Sequence, residues 1–144
     1  MPAHDDINWG QGMLRPTQIP DRARAVGPGW YELLTEAHQE LCALAPGYAL
    51  TGLKEKFGGM RLQVDAEECD LAALRAVIAA AEEMSERTCE FCGAPGSVRT
   101  RNDWPRGWRK CVCEACHHGW SAHQLMIVQG EVRERSGQGG GRRD

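Results

Sequence analysis

The chain has 144 residues, 42% hydrophobic and 26% charged, with a formal net charge of −3. That length allows one compact core plus a small satellite module but not two full-sized domains, and the composition excludes a disordered or fibrous chain. No N-terminal stretch joins a basic start to an apolar run, and the longest apolar stretch, Leu71 to Ala81, is broken by Arg75. Neither a secretory signal nor a membrane span is therefore expected, and a cytoplasmic location is.

Residues 1–29 are rich in glycine and proline without a sustained period and read as an irregular leader. His4, Asp5 and Asp6 read as a frayed polar tail rather than as metal ligands. From Trp30 the apolar residues Leu33, Leu34, Ala37, Leu41 and Leu44 recur at helical spacing with Glu32, Glu36 and Glu40 opposite, and Pro46-Gly47 stops the pattern. An amphipathic helix is expected there.

The segment YALTGLKEKFGGMRLQVD has two strand-like runs around Gly58-Gly59, a pair suited to the positive φ angles of a two-residue hairpin turn. With those glycines as the loop, Phe57 pairs with Met60, Glu55 with Leu62 and Leu53 with Val64 on an apolar face. Lys56 then pairs with Arg61 and Lys54 with Gln63 on a cationic one. Glu55 breaks the apolar pattern, which places it at the sheet margin or beside a cation. A second helix follows, its stripe running Leu71, Leu74, Val77, Ile78, Ala81 and Met84. Residues 30–87 thus form an α+β domain, helix–β-hairpin–helix, with the second helix packed on the apolar face of the hairpin.

Residues 88–128 carry the chemistry. Cys89 and Cys92, then Cys113 and Cys116, are two C-x₂-C pairs separated by residues 93–112, a strong zinc signal. Seven cysteines without a secretory signal point to metal ligation rather than disulfides. Gly93 lets the chain leave the first pair, SVRTR and WRKCV can form two strands around NDWPRG, and the second pair opens a helical stretch running on through LMIV. That order, knuckle, hairpin and helix, is that of a treble-clef or zinc-ribbon-like finger. Cys111 competes with Cys113 as a ligand and His117 with Cys116; the two C-x₂-C pairs are preferred because they match the usual spacings. Four thiolates leave no open position for water, so the expected Zn²⁺ is structural. A segment of about 35 residues needs the ~10–16 kcal/mol such an ion supplies in finger peptides. Residues 129–144 have almost nothing to bury and read as a disordered tail.

The stretches GPGWYELL, LKEKFGGMRL, and TCEFCGAPGSVR followed by CEAC together resemble a family of small bacteriophage and prophage proteins. Its KEKFG-G-[LM]-R signature corresponds to Lys54 to Arg61 and its cysteine-pair zinc module to Cys89 to Cys116. The resemblance covers about residues 27–118 and implies fold and metal ligands rather than an activity. The longer leader, the Gly/Arg tail and Cys111 depart from it.

Charge is unevenly spread: residues 30–87 hold 11 acids against 5 bases, and residues 88–144 hold 6 against 9. Four thiolates around one Zn²⁺ add a net −2, which offsets most of the second excess. The expected function is non-enzymatic binding. Nucleic acid is the first candidate partner, because Arg99, Arg101, Arg106, Arg109 and Lys110 interleave with Trp104 and Trp108, and Lys54, Lys56 and Arg61 extend that surface. A host or phage protein is the second, since the acidic segment repels phosphate. A zinc deaminase built on His38-Gln39-Glu40, or a zinc-supported nuclease using His117, His118 and His123, ranks below both. No proline precedes either cysteine pair, and no accompanying Asp-His pair is present.

Overall fold

The computed structural model describes residues 15–101 and 108–135. Over these the chain is α+β, with helices and three separate two-stranded antiparallel sheets. No helix among them is long and apolar enough to cross a membrane.

The segment expected as an irregular leader is structured from residue 15. Helix α1 (Ile19–Arg22) has Pro20 in its first turn, where a missing N–H costs nothing, and Asp21 accepts a hydrogen bond from Gln18 N at 2.9 Å. Single 3₁₀ turns follow at Ala23–Ala25 and Pro28–Trp30. Ile19, Val26 and Trp30 are buried in the main core, and the Gln18 side chain donates to the carbonyls of Pro46 and Tyr48 at 2.9 Å each. Three apolar residues with no common period were enough to anchor this segment. Ile19 and Val26 carry no periodic signal because one sits on a four-residue helix and the other in the bend between the two 3₁₀ turns.

Helix α2 (Tyr31–Leu44) buries Leu34, Ala37 and Leu41, the i, i+3, i+7 face read from the sequence. Strands β1 (Ala49–Lys56) and β2 (Gly59–Asp65) form the expected hairpin, but its loop is Phe57-Gly58, with φ of 56° and 89°. The pairs are Lys56 with Gly59, Glu55 with Met60, Lys54 with Arg61 and Leu53 with Leu62. Moving a two-residue loop by one position changes each partner by two, so every side chain keeps its expected face while its neighbour changes. Phe57 is the exception, leaving the apolar face for the turn. An irregularity between Leu50 and Gly52 brings Leu50 opposite Val64.

Helix α3 (Leu71–Ser85) starts at Asp70, whose carboxylate accepts from Ala73 N at 3.1 Å. It packs on α2 and β2, burying Leu74 and Ala81, while the stripe ends Leu71 and Met84 stay exposed. The outer edge of β2 is closed by this helix: Met60 N donates to Ser85 Oγ and Leu62 N to Glu82 Oε2, each at 2.9 Å. An open edge that would pair with another strand is thereby capped by side chains.

Strands β3 (Ser97–Thr100) and β4 (Arg109–Val112) pair as expected. Successive residues on a strand face opposite ways, and here Cys111 enters the main core while Val112 enters a second core with Cys89, Phe91 and Trp120. Strand β4 is thus a wall shared by the two cores.

Helix α4 (Glu114–Ser121) is shorter than the sequence reading expected. After it His123 takes a φ of 62°, and β5 (Leu125–Val128) pairs with β6 (Glu131–Glu134) across the turn Gln129-Gly130, φ 52° and 78°. Leu125 and Ile127 are half-buried while Met126 and Val128 are exposed, a period of two that a helix could not bury on one face. Residues 129–135, expected to be disordered, return to the N-terminal segment. Tyr31 Oη donates to Gly130 O, and Arg24 reaches Gln129 O at 3.0 Å and Glu131 at 2.9 Å. Residues 136–144 of the expected tail lie outside the described residues.

Candidate metal centre

Cys89 and Cys92 lie on a tight turn just after α3. Gly93 N donates back to Cys89 O at 2.9 Å and Cys89 N to Ala94 O at 2.8 Å, with Gly93 at φ 85° supplying the reversal. Cys113 is the N-cap of α4, its Sγ 3.4 Å from Cys116 N, and the helix carries Cys116 one turn on. The free N–H groups and positive end of a helix favour thiolate there.

The four sulfurs all lie within 4.8 Å of one another, and Cys92 Sγ is 3.7 Å from Cys113 Sγ. Sulfurs at the usual Zn–S distance of about 2.3 Å form a tetrahedron with edges of about 3.8 Å. The cluster is therefore close enough to hold a metal ion, and four soft donors with no oxygen among them suit zinc. Burial pushes the Cys92 and Cys116 thiols up. At Cys113 burial is outweighed by hydrogen bonds from Cys116 N and neighbouring thiols, which bring it down to about 7. A dication at the centre would displace the remaining protons.

The two rival ligands are placed elsewhere. Cys111 is fully buried in the main core, and burial pushes its thiol up to about 12. His117 is tied to β3, Nε2 at 3.1 Å from Thr100 O and Nδ1 at 3.5 Å from Arg99. His38 pairs with Tyr48 Oη at 2.6 Å and is not among the clustered ligands.

Sequence reasoning missed Glu90, inside the first cysteine pair. It is 2% exposed, and burial raises its carboxyl above the usual range against the pull of Lys110 and of Gly27 N. Its carboxylate accepts from Lys110 at 3.0 Å and from Gly27 N at 3.0 Å, while its backbone O accepts from Gly29 N at 2.8 Å and its N donates to Cys111 O at 2.9 Å. Lys110 also reaches Glu55 at 3.3 Å, and Glu55 in turn accepts from Gly58 N at 2.8 Å. Glu55 thus stands beside a cation. The knuckle approaches Gly29 so closely that a Cβ there would collide with the Cys89 carbonyl. A C-E-F-C motif carries no sequence signal for this role, because the partners come from residues 27 and 110.

The expected nucleic-acid residues divide. Lys54 and Arg61 pair across the outer face of the first hairpin, and Lys56 lies on that same face at the tip, 5.6 Å from the Phe57 ring centroid. Gly58 abuts Val98 and the β4 backbone, which seats this tip on the β3–β4 hairpin. A recess of about 250 Å³ there joins Lys56 and Phe57 to Trp108 and Arg109. Lys110 is 12% exposed and held between two carboxylates, Arg99 is bound to Glu114 at 3.0 Å, and Arg101 stacks on Trp108 and Trp120 with centroid distances of 5.6 and 5.4 Å. Trp104 and Arg106 lie outside the described residues.

Compared with protein-family models, curated proteins and solved structures, the chain matches none.

Proposed function

We propose that the protein is a non-enzymatic nucleic-acid-binding protein whose C-terminal part is a treble-clef-type finger built on structural Zn²⁺. A tetrahedral set of four sulfurs leaves no position for a reacting water, so the ion shapes the chain rather than acting on a substrate. The observation that carries the binding reading is the seating of the first hairpin's tip on the second hairpin. It brings Lys56 and Arg109 to the rim of one recess, with Lys54 and Arg61 behind them on the outer face of the sheet. The acid in the recess, Glu55, is bound to Lys110, while Asp65, Glu67 and Glu68 line a separate concavity at the far end of this hairpin, beside Pro46 and Gly47. A phosphate chain following the tip would avoid them.

Fluorescence anisotropy with labelled oligonucleotides tests this. Four cations contacting phosphate give a log–log salt slope of about −3, hence about fifty-fold weaker binding at ~200 than at ~50 mM salt. The second reading is a protein-interaction module, supported by the exposure of Phe57, Val98 and Trp108. It predicts a complex insensitive to salt, and absence of oligonucleotide binding even at low salt would select it.

A further inference from the structure

We propose that the recess between Phe57 and Trp108 is a stacking site for an unpaired base, so that the ligand is single-stranded nucleic acid. This rests on the nucleic-acid reading above and names the form of ligand that reading leaves open.

Phe57 occupies the first position of a turn whose two residues both have positive φ, 56° here, a place where glycine or asparagine is at ease and a bulky side chain is strained. That strain secures no packing, since Phe57 is 62% exposed. Trp108, on the neighbouring hairpin, is 52% exposed and lines the same recess. Each ring carries a cation over one face, Lys56 over Phe57 and Arg101 over Trp108 at 5.6 Å each, and with both rings more than half exposed across one concavity the remaining aromatic surface suits a flat, uncharged ring system. The rim selects among such ligands: Lys56 and Arg109 are cationic, while the one acid in the lining, Glu55, is bound to Lys110 and to Gly58 N. A base flanked by phosphates matches aromatic walls with a cationic rim, whereas an acidic or purely apolar peptide matches only one of the two. In a duplex the bases are stacked on one another and their faces are unavailable to the recess.

The test uses the full-length, metal-loaded protein with a labelled oligothymidine of about 15 nucleotides and a duplex of the same length. The strand is expected to bind more tightly than the duplex. Phe57→Asn and Trp108→Ala are each expected to weaken strand binding about tenfold, leaving duplex binding unchanged, and Phe57→Trp to retain it. Phe57→Asn also controls for folding, because asparagine tolerates the turn and the melting temperature should not fall. Equal affinity for strand and duplex, or strand binding indifferent to both truncations, overturns the stacking site while leaving the cationic surface in place. If neither oligonucleotide binds at low salt, this inference and the nucleic-acid reading fall together, and the recess passes to a protein partner.

Discussion

Lys110 illustrates why a cation in a basic stretch is not always a phosphate ligand. Its ammonium lies between Glu55 and Glu90, with the Lys110 and Glu90 side chains 12% and 2% exposed. Removing one member of a buried ion pair strands the other charge, so Lys110→Met is expected to cost about 3–5 kcal/mol in chemical denaturation. The double variant Glu90→Leu with Lys110→Met should recover part of that loss, because no fully buried carboxylate then remains unpaired. The alternation of WRKCV placed Lys110 on a strand, but whether it faced solvent or a buried carboxylate depended on Glu90, twenty residues earlier in the chain and in another motif. Glu55 is the converse: the sequence marked it as out of place, and the structure supplies the cation beside it.

At the scale of elements, the first hairpin shows how little sequence distinguishes one turn from its neighbour. Lys-Phe-Gly-Gly allows a loop at Phe57-Gly58 or at Gly58-Gly59, and backbone preference alone selects the glycine pair. The observed choice leaves Gly59 to pair with Lys56 and sets Gly58 against Val98. Phenylalanine in the left-handed region is strained by about 1–2 kcal/mol, and asparagine relieves most of this, so Phe57→Asn should raise the unfolding free energy by about 1 kcal/mol. Thermal denaturation monitored by circular dichroism reads the shift. The third hairpin was illegible for a different reason. Leu125 to Val128 is an unbroken apolar run, equally suited to prolonging a helix, and only the half-burial against Trp120 and Val132 assigns it a period of two.

Across the whole molecule, the two cores are not independent. Strand β4 sends Cys111 into one and Val112 into the other, Glu90 ties the knuckle to Gly27 and Gly29, and the Trp30 indole donates to Thr88 O at 2.8 Å. Chelation should therefore do more than melt residues 88–128. It is expected to lower the melting temperature of the entire chain, with one cooperative transition in the metal-loaded protein by calorimetry. Two well-separated transitions, the earlier alone sensitive to chelator, would show the cores to be uncoupled. The contribution of a structural zinc, about 10–16 kcal/mol in finger peptides, is large beside the ~5–15 kcal/mol that holds a typical domain folded.

Local pattern was sufficient for what depends on spacing along the chain: the helix faces of Leu34 to Leu41 and Leu74 to Ala81, the faces of the first hairpin, and the four clustered cysteines. Helical and strand periods, and ligand pairs three residues apart, are properties of neighbours in sequence. Tertiary structure alone decided the burial of Ile19 and Val26, the pairing of Lys110 with Glu90, the burial of Cys111 in the main core, and the meeting of Phe57 with Trp108. Each joins residues distant in the chain, and which distant residues meet is set by how the elements pack, a quantity no window of the sequence contains.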